Sequence, residues 1–198
     1  MHCLVVKAHP LSESLCSFLT QRAVTTLQAA GHQVVLEDLY AERFDAALTP
    51  VERAEHYENP YPVDAVAAQA GRLVAAEAIV LVFPTWWFGF PAILKGWFDR
   101  VWCPGVAYEH AEDLGPLKPK LGNLRHTLAV TSLGAPWWVD RLVMRQPVKR
   151  VLKTGIVGVC APQCRFEMLA IHKSEKLSKK QVERFAGRVE QALSAWPV

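Results

Sequence analysis

The chain has 198 residues, of which 51% are hydrophobic and 21% charged, and a formal net charge of +3. That length is one domain with room for a real core, and that balance excludes a disordered chain. The charge is too small to point to nucleic acid, and no apolar run approaches the ~20 residues of a membrane span. Residues 3–6 are an apolar run too short for a signal-peptide core and lack a cleavage site, which gives the expectation of a cytoplasmic protein. The five cysteines are scattered and read as reduced thiols. Cys160 and Cys164 have no second pair with which to build a zinc site.

Residues 4–8 predict a first strand, followed by the polar turn His9-Pro10-Leu11-Ser12-Glu13-Ser14. A helix then runs to about residue 30, with Leu15, Leu19, Ala23 and Leu27 on one face, Ser12 or Ser14 as cap and Gly31 as its end. Residues 33–37 are a second strand. Residues 41–62 form a long loop with a helical turn after Thr49-Pro50, and a helix follows over 63–76. Residues 78–82 are a buried third strand, and 92–102 a helix with Leu94, Trp97, Phe98 and Val101 on its buried stripe and Pro91 in its first turn. Another long connection, 103–124, carries Gly105, Gly115, Pro116, Pro119 and Gly122. A fourth strand over 127–132 ends in Leu133-Gly134. A helix over 136–153 must bend or break at Pro147, residues 165–171 are a fifth strand, and 178–195 are the last helix, burying Val182, Phe185, Val189 and Leu193.

Strands alternating with helices predict a single α/β domain with a parallel sheet covered on both faces. Five such units fit the strand order 2-1-3-4-5. The first strand is followed by no glycine fingerprint, which weighs against a dinucleotide site of the other doubly wound design.

Ligands of such sheets bind at the carboxyl ends of the strands, where three loops converge. The first, residues 9–16, ends at a helix N-terminus whose free amides suit a phosphate, with His9, Ser12 and Ser14 as further donors. Taken alone it also reads as an ordinary capped helix. The second, Phe83-Pro84-Thr85-Trp86-Trp87-Phe88-Gly89-Phe90-Pro91, is too aromatic for a solvent loop, though its rings would also suit a core or a subunit interface. The third is Thr131-Ser132-Leu133-Gly134, which alone is a plain strand-to-helix turn. Together they describe a slot for a phosphorylated flat ring, a flavin. The basic stripe Lys176, Lys180, Arg184 and Arg188 reads as a solvated helix face, and the histidines at 2, 32, 56, 126 and 172 lack metal-ligand spacing.

The run Phe83-Pro84-x-x-Trp87-Phe88-Gly89-x-Pro91-Ala92-Ile93-Leu94-Lys95-Gly96-Trp97-Phe98-Asp99-Arg100-Val101 resembles the signature of the NAD(P)H:quinone oxidoreductases of the flavodoxin-like fold. Ala8-His9-Pro10 with Ser14, Val106-Ala107-Tyr108, Gly115-Pro116-Leu117 and Thr131-Ser132-x-Gly134 are similar to further pieces of that family. The resemblance implies that His9, Ser14, Leu15 and Cys16 hold the flavin phosphate side. By the same likeness Pro84, Thr85, Trp86, Trp87 and Phe88 line the isoalloxazine, and Thr131, Ser132, Leu133 and Gly134 close its other edge. Tyr108, with His110, would face the substrate from the partner subunit of a homodimer, and Trp137 with Trp138 would roof the pocket or pack into a helix start. The implied chemistry is ping-pong hydride transfer from NAD(P)H to a quinone, azo or nitro acceptor through FMN, or FAD as the alternative. The compact chain favours FMN. Two departures stand out. Leu15-Cys16 replaces the usual Phe-Asn, and Ala135-Pro136-Trp137-Trp138-Val139-Asp140 replaces the segment whose Tyr and His relay charge in the mammalian enzymes, so no catalytic acid is assigned. Some relatives are instead flavin-binding ancillary subunits of potassium efflux systems, and true flavodoxins are electron carriers, more acidic than this chain.

Overall fold

The computed structural model describes residues 1–58, 60–111 and 115–197. Its main sheet has five parallel strands in the order β2-β1-β3-β6-β7. These are β1 (His2–Lys7), β2 (Gln33–Asp38), β3 (Ala78–Pro84), β6 (His126–Leu133) and β7 (Arg165–His172). The expected order 2-1-3-4-5 is therefore realised, with β6 and β7 as its fourth and fifth strands. The second long connection, whose sequence predicts no strand, contains a small antiparallel pair, β4 (Tyr108–Glu109) with β5 (Lys118–Pro119).

Strand alternation sorts the core into two halves. Leu4, Val6, Ile79, Leu81 and Phe83 point to one face, where α3 (Ala67–Ala75) and α4 (Ala92–Val101) bury Leu73, Leu94, Trp97 and Val101. Cys3, Val5, Val80, Val82 and Leu128 point to the other, against Leu19 and Leu27 of α1 (Leu15–Ala29) and Phe185 and Val189 of α7 (Lys179–Ser194). Val182 is half-buried rather than buried. The caps follow the sequence signals. Ser14 accepts the Ser17 amide at the start of α1, Gly31 turns left-handed after it, and Ser178 and Gln181 form a capping box on α7. Thr49 and Glu52 form another on the short α2 (Pro50–Ala54).

Three boundaries differ from expectation. Phe83 and Pro84 belong to β3, paired with Thr131 and Ser132. Pro91 caps α4 through its carbonyl, which accepts the Leu94 and Lys95 amides, rather than lying inside the first turn. The helix expected over 136–153 is broken into a π-helical segment (Val139–Val143), α5 (Pro147–Arg150), a second π-helical segment (Val151–Val157) and α6 (Gly158–Cys160). The break falls at Arg145 and Gln146, both left-handed, because Pro147 disfavours the helical conformation in the residue before it.

One buried polar cluster joins β2, α3 and α4, and a second joins α4 to the first long loop. Glu37 is wholly buried on β2 and accepts the Trp97 indole N–H at 2.6 Å and an Arg72 N–H at 3.0 Å. Arg100 is buried against Glu52, with N–H···O distances of 2.8 and 2.9 Å, and also donates to the Asp45 carbonyl. Gly96 is where the loop backbone crosses the helix. A Cβ there would stand 2.0 Å from the Ala46 carbonyl oxygen.

Candidate functional site

The loops after β1, β3 and β6 meet at the carboxyl edge of the sheet, and the last two are tied to one another. The Thr85 amide donates to the Ser132 carbonyl at 2.8 Å, and the Thr85 and Thr131 hydroxyls are 2.8 Å apart. The His9 ring lies 6.3 Å from the Trp86 ring.

At the first loop, the Leu11 amide donates to His9 Nδ1 at 3.1 Å, so a neutral imidazole carries its proton on Nε2 and that atom is a donor. Ser14 and Ser17 hydroxyls sit 2.9 Å apart at the start of α1. Among the described residues the amides of Ser14, Leu15 and Cys16 donate no hydrogen bond within the chain, as expected for an open helix N-terminus. The Cys16 side chain is buried in the core, where burial pushes its thiol up to about 11. Only its amide can serve a ligand.

At the second loop, Trp86 and Gly89 exchange backbone hydrogen bonds of 3.2 and 2.9 Å and pinch a two-residue turn. Its central residues Trp87 and Phe88 have φ of 51° and 54°. That geometry normally belongs to Asn-Gly, and a bulky residue there costs ~1–2 kcal/mol. The Trp87 and Phe88 amides are also undonated among the described residues. Trp87 is 100% exposed. Strain, open donors and exposed rings concentrated in one turn are the marks of a ligand clamp.

The second and third loops enclose a slot of about 310 Å³, and His9, Ser14, Leu15 and Cys16 of the first loop do not line it. Its volume is at the lower end of small-molecule clefts, ~300–1,000 Å³. Thr85, Trp86, Trp87 and Phe88 form one side, and Leu133, Gly134 and Ala135 the other. Thr131 and Ser132 do not line it; they are buried within β6, where the Thr131 hydroxyl meets that of Thr85 and the Ser132 carbonyl accepts the Thr85 amide. Pro84 is likewise buried in β3. The residues fit a phosphorylated flat ring, with open amides at the α1 start for a phosphate, aromatic and small residues for the faces, and open amides at Trp87 and Phe88 for a polar edge.

The sequence reading missed Ala135 and Glu175, both of which line the slot. Glu175 lies on the turn that leaves β7 at the same sheet edge, so the rule that selected the other loops could have found it. Trp137 is more than half exposed and does not line the slot, nor does Trp138. Behind them, Asp140 and His172 pair at 3.2 Å and fasten the π-helical segment to the end of β7.

Tyr108 and His110 are not brought to this slot by their own chain. His110 lines a separate cavity of about 560 Å³ with Tyr57, Tyr61, Lys118 and Lys120, and the two cavities share no lining residue. There His56, Tyr57 and Tyr108 pack their rings around His110 at 4.9–5.5 Å. Burial pushes Tyr61 and Tyr108 up to about 12, so both remain O–H donors at neutral pH. Burial and the neighbouring His110 lower His56. The Tyr61 hydroxyl and His110 Nε2 are buried without a hydrogen-bond partner among the described residues.

A family model described as the flavodoxin-like fold matches residues 1–196. The chain belongs to that family. Among relatives of this flavodoxin-like protein is one from Haemophilus influenzae named an uncharacterized NAD(P)H oxidoreductase, 37% identical over 204 residues, covering 98% of this chain and 97% of that one. Rat NAD(P)H dehydrogenase [quinone] 1 is 33% identical over 150 residues, 67% of this chain and 53% of the rat protein, so the chain spans about half of that relative's length. The solved NAD(P)H:quinone oxidoreductase of Methanothermobacter marburgensis superposes with a TM-score of 0.82 at 24% identity, covering 98% and 96% of the two chains, a likeness of fold. The rat and Methanothermobacter proteins carry the family name that the aromatic motif resembles. Among the described residues no helix is long and apolar enough to cross a membrane.

Proposed function

We propose that this chain is a flavin-dependent NAD(P)H oxidoreductase that reduces quinones or related acceptors by two electrons. The observation that carries it is the turn at Trp87 and Phe88, left-handed at two bulky residues, with open amides and an exposed ring beside a slot of matching size. FMN (or FAD as the alternative), held there, would supply a redox ring able to carry a hydride from NAD(P)H to the acceptor.

The chain's own residues bind and orient. The Ser14, Leu15 and Cys16 amides and the positive end of α1 hold the phosphate, with His9 Nε2–H as a neighbouring donor. The Trp87 and Phe88 amides serve the ring's polar edge, where preorganised donors stabilise developing negative charge. Thr85 and Thr131 join the two walls through their hydroxyls, and Trp86 and Trp87 present exposed rings beside the slot. Tyr108 and His110, remote from the slot in their own chain, complete the acceptor site of the partner in a homodimer.

The decisive measurement is the absorption spectrum of the purified protein, with acid-released cofactor identified by mass, before and after anaerobic NADPH. A yellow protein bleached by NADPH is the expected result. A colourless protein that refuses both FMN and FAD overturns the reading. Initial rates with both substrates varied should give parallel lines, and intersecting lines exclude a site shared in turn.

A further inference from the structure

Apart from Glu175, every described residue lining the slot is uncharged. Its position is built. Lys173 turns left-handed directly after β7 (φ 54°), its amide donates to the Ala135 carbonyl at 3.3 Å, and its carbonyl accepts the Lys176 amide at 3.0 Å. The single 3-10 turn Ser174–Lys176 is thereby fastened to the loop that follows β6. Glu175 Oε1 lies 3.1 Å from where a Cβ of residue 134 would stand, so Gly134 leaves the space that the carboxylate uses. Among the described residues Glu175 makes no hydrogen bond and no ion pair, although Lys173 and Lys176 flank it in sequence. An exposed, unpaired carboxylate contributes nothing evident to the fold. Its charge acts on whatever fills the slot.

We propose that Glu175 sets the reduction potential of the ring held in the slot and keeps it low. The inference rests on the flavin reading above. Hydride uptake converts NAD(P)H to NAD(P)+ and adds negative charge to the ring. A fixed carboxylate on the wall opposes that charge. A ring of lower potential is a better donor to the acceptor, which takes the hydride and one proton from solvent to become the quinol.

The test compares wild type, Glu175→Gln and Glu167→Gln, each loaded with FMN, or with FAD if FMN is refused. Midpoint potentials come from equilibration with a reference dye, and affinities for the oxidised flavin from fluorescence quenching. Glu175→Gln should bind oxidised flavin as wild type does and raise the potential by about 30 mV, a tenfold change in a two-electron equilibrium. Glu167→Gln removes the same charge from an exposed site on β7 that does not line the slot, and should leave the potential unchanged. Flavin bound at an unaltered potential in Glu175→Gln, or an equal rise in Glu167→Gln, overturns the assignment alone. A wild-type chain that takes up neither flavin overturns the functional reading and this proposal together.

Discussion

The aromatic motif has two halves built on opposite principles. In residues 92–101, Trp97 and Arg100 are buried, and each is paired to a buried carboxylate, Glu37 and Glu52. In residues 83–91, past the end of β3, the rings of Trp86 and Trp87 are exposed, the backbone is left-handed at Trp87 and Phe88, and amides stay open. The helix half is a foundation whose polar groups are spent on one another. The loop half keeps its polar groups unspent and its backbone strained, which a fold tolerates where a ligand repays it. Damage to the first should appear as lost stability, and damage to the second as lost binding.

The largest effect belongs to the foundation. Glu52→Ala leaves the Arg100 guanidinium buried beside a lost partner and should cost ~3–5 kcal/mol in urea unfolding, while folded protein at low temperature keeps its flavin affinity. A matching loss of flavin affinity in the folded fraction would break the division. Gly96→Ala drives a methyl into the Ala46 carbonyl and should cost ~1–3 kcal/mol by the same assay.

The loop half should respond with the opposite sign. Replacing Trp87-Phe88 by Asn-Gly relieves the left-handed turn and should raise stability by ~1 kcal/mol, read as a higher Tm. The same change removes ring contacts and should weaken FMN binding at least ~10-fold by fluorescence titration, a ~1.4 kcal/mol difference. A destabilised variant would mean that the turn is not strained.

Acid sharpens the contrast. Burial alone would raise Glu52, but hydrogen bonds from Arg100 and Thr49 outweigh it and hold the carboxyl below its ordinary value. A lowered carboxyl contributes stability above the unfolded value of ~4.3 and loses it as pH falls through the lower folded value. Thermal unfolding below about pH 4 should therefore steepen in wild type and flatten in Glu52→Gln. The smallest effect concerns the second cavity. Tyr108→Phe should leave flavin affinity and NAD(P)H oxidation unchanged and lower quinone kcat/KM about fivefold, the worth of one neutral hydrogen bond of ~1 kcal/mol. A monomer in sedimentation that reduces quinone normally would remove Tyr108 and His110 from the site.

Much of this architecture is legible in the chain alone. Apolar runs and i, i+3, i+4, i+7 spacing mark the strands and helices. Ser14, Thr49 and Ser178 mark helix starts, and the loop rule locates the slot edge, because each of these signals is local and set by backbone geometry. Other features depend on residues far apart. Glu37 looks like an ordinary polar strand residue until Trp97 and Arg72 close over it. Nothing local marks Trp87-Phe88 for the left-handed region, since those side chains oppose it and only the closure between Trp86 and Gly89 imposes it. Glu175 reaches the slot through β7 standing beside β6, and His110 reaches a different cavity through the β4–β5 pair. Local propensity determined the elements and the edge at which they act. Only the packing of distant segments decided which charge faces the slot, which rings stay open, and which aromatic cluster lies apart from it.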